Sequence, residues 1–243
     1  HKIAVAVIKK QSDYGRPIRR EISFSERELL RLAGRKSWGG RDSEDLALAL
    51  KQIRYTHILA YFEVDDRFFE RDFSIFDEVL IERRSAPHDP IYACTVTLAE
   101  PIIRALEDDH FTCLNHFLMM RLGTIGQALY MRLFFHFANL FDGRNRARLS
   151  FNKRYDDICA EWLGGVVVAQ HKSKIEERLG AHLSQLIQTG FLASYQITKA
   201  QTARGEKGFV LTVRPGGTFF ADYERFYRRR FQGELQWEFQ TDQ

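Results

Sequence analysis

Five side chains able to meet a polyanion fall within twelve residues: His171, Lys172, Lys174, Arg178 and His182. They are interleaved with Ile175, Leu179, Leu183, Leu186 and Ile187, whose spacing gathers the apolar set on one stripe of a helix. The cations are then left on the opposite side. Gly190 closes the run, as expected where a helix ends on a residue with no Cβ. Two β-prone segments follow, FLASYQI and KGFVLTV, joined by a polar loop that contains Arg204, Gly205 and Lys207. One α-helix fits the DNA major groove, and cations on adjoining loops suit backbone phosphates. The implied chemistry is double-stranded DNA binding, with Lys172, Lys174, Arg178 and His182 toward the groove and Arg204 and Lys207 at the hairpin tip. The competing reading is a solvated helix face partly balanced by Glu176 and Glu177.

Further cations cluster around that helix and recur in the first half. Arg144, Arg146, Lys153 and Arg154 lie just before the preceding helix. Upstream, Arg16, Arg19 and Arg20 open a strand, Lys36 and Arg41 occupy a turn, and Lys51, Arg54 and Tyr55 lie on a helix. Glu44 and Asp45 near the start of that helix favour its dipole, which points to phosphate contacts before base readout. The aromatic set Phe134, Phe135, Phe137, Phe141, Phe219, Phe220, Tyr223, Phe226 and Tyr227 reads as core rather than as a base-stacking platform.

Enzyme chemistry finds no support in the residue pattern. No phosphate-binding G-x-x-x-x-G-K-[ST] loop, H-E-x-x-H pair, C-x-x-C pair or G-x-S-x-G elbow is present. No two histidines flank a single residue, which disfavours a nicking enzyme with a metal-binding His-x-His pair. The pairs Asp65-Asp66, Asp108-Asp109 and Asp156-Asp157 read as solvated or capping carboxylates rather than metal ligands. No cofactor and no metal are expected. Across 243 residues the net charge is +4, with three separated cysteines, so free thiols in a reducing, cytoplasmic setting are expected. No apolar run nears the ~18 residues of a membrane span, and no secretory leader is recognisable. The chain opens on His1 rather than Met, which leaves open whether residues precede it.

The elements that must position these residues come in a repeated order. Lys2 to Lys10 could be a strand or a helix end, and Ile18 to Phe24 a strand. A capping box at Ser25 starts a helix that ends near Gly34, and Asp42 caps a second helix to about Tyr55. Ile58 to Val64 and Phe68 to Glu82 read as a hairpin, and Arg83 to Pro90 as the best linker. Ile91 to Leu98 reads as a strand, Glu100 to Glu107 as a helix and Thr112 to Asn115 as a short strand. Gly123 to Phe141 is a long helix, Ala147 to Phe151 a strand and Tyr155 to Leu163 a helix. The opening helix and its hairpin follow, and then a terminal helix from Thr218 to Phe231, ending in Arg228, Arg229 and Arg230. The fold class expected is α+β, as two tandem winged-helix domains. Residues 1–121 form the first, and residues 122–243 the second with its C-terminal helix. Two such heads would read a site of ~20 base pairs.

The stretch GRPIRREISFSERELLRLAG, followed by LALALKQIRYTHI, resembles the N-terminal half of plasmid replication initiator proteins of the replication initiator A type. IGQALYMRLFFHF, RLSF and KIEERLGAHLSQLIQTGFL are similar to that family in order. The resemblance runs roughly from Gly15 to Val213. The Trp38-Gly39-Gly40 turn and the long Ile91–Arg121 connection depart from it. It implies a non-enzymatic initiator that binds repeated origin sites (iterons) on a plasmid and helps open the adjacent DNA. It also implies recruitment of the host initiator and replicative helicase, repression of its own promoter, and a homodimer as one working state. A winged-helix regulator of a plasmid or phage operon is the alternative.

Overall fold

Lys2–Tyr14 is helical (α1) in the computed structural model, which describes residues 2–35, 37, 39–64, 66–108, 113–201 and 207–226. Its Ala6 and Val7 are fully buried, so packing settles the ambiguous apolar opening in favour of helix. The chain divides into two compact units, His1–Phe111 and Thr112–Gln243.

In the first unit, strand β1 (Glu21–Phe24) alternates and buries Ile22 and Phe24. Helix α2 (Glu26–Leu32) starts as the capping box predicts, with the Ser25 hydroxyl accepting from the Glu28 amide at 3.2 Å. Helix α3 (Gly40–Arg54) has its N-cap at Gly39, three residues earlier than expected. Asp42 is not its N-cap; its carboxylate reaches back and accepts from the Gly39 amide at 2.6 Å. Ser43, buried on α3, donates to the Glu26 carboxylate at 2.5 Å and accepts from the Ile91 amide at 3.2 Å. That one hydroxyl ties α3 to α2 and to the sheet.

The largest departure from expectation concerns the hairpins. His57–Val64 (β2) and Arg67–Ser74 (β3) pair only with each other, as a separate two-stranded sheet. The wing is instead Phe76–Arg83 (β4) paired with Ile91–Leu98 (β5), giving a sheet of order β1-β5-β4. The expected linker from Arg83 to Pro90 is therefore the turn of a hairpin. Asp89 makes it so: its carboxylate accepts from the Ser85 and Ala86 amides at 2.9 and 3.0 Å, and its carbonyl accepts from Arg83. Side-chain satisfaction of turn amides is what Asp supplies. Cys94, on β5, is buried, and burial, with the Glu26 carboxylate beside it, pushes its thiol up to about 12. Helix α4 (Glu100–Glu107) closes the unit and buries Ile103.

The second unit begins ahead of the expected boundary, because helix α5 (His116–Arg121) packs within it. The strand expected over Thr112 to Asn115 does not form in its described part, residues 113–115. Asn115 instead caps α5, donates its amide to the Tyr130 hydroxyl at 2.9 Å, and donates its side-chain NH2 to the Asp222 carboxylate at 3.2 and 3.3 Å. Helix α6 (Thr124–Leu140) buries Leu129, Tyr130, Leu133, Phe134 and Phe137. Tyr130 and Phe191 lie 4.7 Å apart, ring centre to centre, and Phe219 lies 5.4 Å from Phe134 and 5.3 Å from Phe137. Of the aromatic set, Phe134, Phe137, Phe219 and Phe220 are core as expected, Phe141, Tyr223 and Phe226 are half-buried at its edge, Phe135 is half-exposed, and Tyr227 lies outside the described residues.

Asp142 folds the next turn, accepting from the Arg144 and Asn145 amides at 2.8 and 2.7 Å, which holds its carboxyl below the usual range. That turn displaces strand β6 to Phe151–Arg154, later than the expected Ala147 to Phe151. Helix α7 runs over Tyr155–Asp157 and continues as a wider π turn over Ile158–Trp162. Helix α8 runs over Lys172–Ile175, a π turn at Glu176–Gly180, and Ala181–Gln188. Gly190, at φ +73°, ends α8, with its amide bonded to the Ile187 carbonyl and the Phe191 amide to the Leu186 carbonyl. Strands β7 (Leu192–Gln201) and β8 (Lys207–Pro215) complete a sheet of order β6-β8-β7. A last helix (α9) occupies 217–226; Arg228, Arg229 and Arg230 lie outside the described residues.

Each unit thus repeats one order: helix, strand, two helices, hairpin. In each sheet the first strand pairs with the last and the middle strand takes the far edge. The first unit differs by the extra β2–β3 hairpin.

Candidate nucleic-acid interface

Helix α3 of the first unit and helix α8 of the second carry the cations that the sequence offers to a groove. On α3, Leu46, Ala47, Leu50 and Ile53 are buried, and Arg41, Asp45, Leu48, Gln52 and Tyr55 recur along the outward stripe. Lys51 is exposed beside them, and Tyr55 is 73% exposed. Arg41 and Lys51 have no ion-pair partner among the described residues. Leu48 and Gln52 escape a search for charge, yet the same period that places Arg41 and Tyr55 outward places them outward too. Gln is one of the two side chains suited to adenine in the major groove.

The remaining first-unit cations are engaged within the unit. Arg19 stacks over the Tyr14 ring at 4.0 Å, Arg20 pairs with Asp77 at 3.2 Å, and Arg16 donates to the Glu107 carbonyl at 3.4 Å. All three side chains remain exposed, so phosphate could still be met alongside these weak surface contacts. Arg54 is half-buried and donates to the Ser74 hydroxyl at 3.3 Å. Lys36 lies outside the described residues.

Helix α8 has a narrower basic face than its sequence implies. Ile175, Leu179, Leu183 and Leu186 are buried as expected. Lys172 and Lys174 are exposed at its start, the latter paired with Glu177 at 2.7 Å. That ammonium holds the Glu177 carboxyl below its usual range. Arg178 does not stand free on the outer face. Its guanidinium donates to the Tyr155 hydroxyl at 2.9 Å and to the Val167 carbonyl. His182 is half-buried, its ring set against Gly123 at the start of α6. Both lie on the flanks of the buried stripe, where neighbouring elements reach them.

Arg178→Ala should therefore cost stability first. Tyr155 is buried, and losing its charged donor should lower the unfolding free energy by about 1–2 kcal/mol in urea denaturation. An unchanged midpoint would place Arg178 among the free groove-facing cations after all.

Around α8, Arg144 and Arg146 are exposed, Arg146 with its guanidinium 4.4 Å from the Phe220 ring centre. Lys153 pairs with Glu161 at 2.8 Å and lies over the Trp162 ring. Arg154 grips Asp156 through Nε and Nη2 at 3.0 and 2.6 Å, which holds the Asp156 carboxyl low. Of the hairpin tip, Lys207 begins β8 and Arg204 lies outside the described residues. No cluster of His, Cys, Asp and Glu able to hold a metal occurs among the described residues, and no helix there is long and apolar enough to cross a membrane.

His136 sits beneath this surface, its ring stacked 4.3 Å from Phe151 and 5.5 Å from Trp162. Burial, together with Lys153 and Arg132, lowers its pKa below the ordinary 6.5, against the pull of Glu161. The unfolded chain then binds the proton more readily, so this contribution to stability is full above pH ~6.5 and is lost as pH falls below it. Stability measured from pH 7 to 5 should fall more steeply for the wild type than for His136→Phe. Buried Asp222, whose pKa burial raises, titrates in the opposite sense, so only the difference between the two proteins isolates His136. Parallel curves would remove it as a source of the slope.

The fold and its two outward helices define a tandem winged-helix protein. The chain belongs to the replication initiator protein A family, whose model matches residues 3–138. It matches no curated relative. Among solved structures, RctB domains 2 and 3 align at a TM-score of 0.57 with 10% identity, over 90% of this chain and 82% of that one. A selenomethionine derivative of the same domains aligns at 0.52 with 13% identity, over 86% and 79%. The Pi initiator protein in complex with iteron DNA aligns at 0.47 with 13% identity, over 89% and 92%. The RctB likeness, at this identity, bears on the fold alone.

Proposed function

We propose that this protein is a plasmid replication initiator that binds repeated double-stranded origin sites through two winged-helix heads. The observation that carries the reading is the repeated element order, with a helix in each unit offering exposed cations: Arg41 and Lys51 on α3, Lys172 and Lys174 on α8. The protein works without catalysis, metal or cofactor, in the bacterial cytoplasm. Family membership supports the further reading that it opens the origin, recruits the host initiator and replicative helicase, represses its own promoter and passes through a homodimeric state.

Arg16, Arg19, Arg20, Arg144 and Arg146 serve as phosphate contacts around the two helices, with Lys207 on the wing. Arg54, Lys153, Arg154 and Arg178 hold the heads in shape. Footprinting on the encoding plasmid, repeated across a range of salt, tests the proposal. Protection of direct repeats with a steep salt dependence is expected. Protection of a single inverted repeat at a promoter would favour the operon regulator, and no protection anywhere would overturn DNA reading altogether.

A further inference from the structure

We infer that the loop of Val166, Val167 and Val168, which leads into α8, reads thymine methyl groups in the major groove. The inference rests on the DNA-reading proposal and adds to it the base selected. The three side chains are 38%, 81% and 37% exposed, which is unusual for consecutive β-branched residues in a short connection. Val167 is the most exposed of the three, and none of them belongs to the buried core among the described residues.

Their backbone is nevertheless held. Gly164 and Gly165 turn the chain after α7 at φ +71° and +79°, and the Gly165 amide donates to the Cys159 carbonyl at 2.9 Å. Arg178 grips the Val167 carbonyl from α8. At the far end the His171 carbonyl accepts from the Lys174 and Ile175 amides at 3.0 and 3.2 Å, opening α8. The loop is thus fixed to both helices while its side chains face solvent. Valine has few rotamers to lose, so it presents methyl groups at small entropic cost.

The surroundings select the partner. From Gly164 to Lys174 the chain carries no acidic residue, and His171, Lys172 and Lys174 follow directly. An apolar knob rimmed by cations suits a polyanion that also offers apolar groups. In a helix-turn-helix the start of the second helix meets the base edges. There the thymine C5-methyl is the apolar group on offer in the major groove. The Arg178 hydrogen bond gains a purpose from this: it makes Arg178 a positioning residue for Val167.

The test uses the full chain and the protected origin fragment, prepared once with thymine and once with uracil throughout. Uracil keeps every hydrogen-bonding group and removes only the methyl. Wild-type protein should bind the uracil duplex more weakly, by roughly fourfold for each methyl group that the loop touches. Val167→Ser should bind the thymine duplex more weakly than wild type and show a smaller uracil penalty. Its urea midpoint should be unchanged, since the side chain is exposed. An equal uracil penalty in wild type and Val167→Ser, or no penalty in wild type, overturns the inference while leaving DNA reading intact. Absence of binding to either duplex would instead bring down the proposed function.

Discussion

Gly216→Ala should destabilise the second unit by on the order of 3–5 kcal/mol, among the largest effects a single added methyl can have. A Cβ at this position would lie 2.2 Å from the Gly190 carbonyl oxygen and 2.9 Å from the Leu192 carbonyl carbon, both of them backbone. Neither can swing aside as a side chain would. The crossing is also stitched: the Gly216 amide donates to the Phe191 carbonyl at 2.7 Å, and the Thr218 amide to the Gly190 carbonyl at 3.0 Å. Here the end of β8 passes over the end of α8, so the added methyl would push the wing away from α8. Gly217→Ala is the control. Nothing lies within 4 Å of its Cβ position, and it should be close to neutral. Urea denaturation of the two variants checks the claim, and a loss under ~1 kcal/mol for Gly216→Ala would show that the crossing can open without cost.

The second large effect concerns binding. Replacing both Arg41 and Lys51 by Ala should weaken binding to the protected fragment by roughly 60-fold at 0.1 M salt, since each phosphate contact contributes about 0.9 to the slope of log affinity against log salt. The slope itself should fall by about 1.8. Stability should change little, because both side chains are exposed and form no ion pair among the described residues. Tyr55→Ala and Gln52→Ala, by contrast, should leave the slope alone and alter preference between sequences. If the double variant binds as tightly as the wild type, with the same slope, α3 is not a groove-facing helix and the first head must use another surface.

Much of this arrangement is readable in the chain itself. The stripe Ile175, Leu179, Leu183 and Leu186 announces α8, because burial of an apolar face at helical period is what makes a helix of that length stable. Ser25 and Glu28 announce the start of α2, and Gly190 the end of α8, because caps and left-handed turns are local matters decided by a few residues. Other features resist such reading. The segment Arg83 to Pro90 has the composition of a linker, but composition cannot reveal that the strands on either side pair with each other. Only the register Ile81 to Cys94 and Val79 to Val96 turns it into a wing tip. Conversely, β2 and β3 carry strong hairpin signals and form a hairpin, yet one that joins no larger sheet.

The site divides along the same line. From sequence alone come the order of elements, the core face of each helix and the cations available to the surface, since each depends on neighbours at most four residues away. Which of those cations remain available is a tertiary matter. Arg178 and His182 stand on the flanks of the buried stripe, a turn from one another, and no helical period says what lies beside a flank. In the folded unit Tyr155, Val167 and Gly123 lie there, and a flank residue that finds a partner is no longer a free charge. Arg41 and Lys51 keep theirs because α3 turns them away from every neighbour in the described unit. The same packing brings Val167 outward, where its backbone is held by the very arginine that the sequence offers as a reader of DNA.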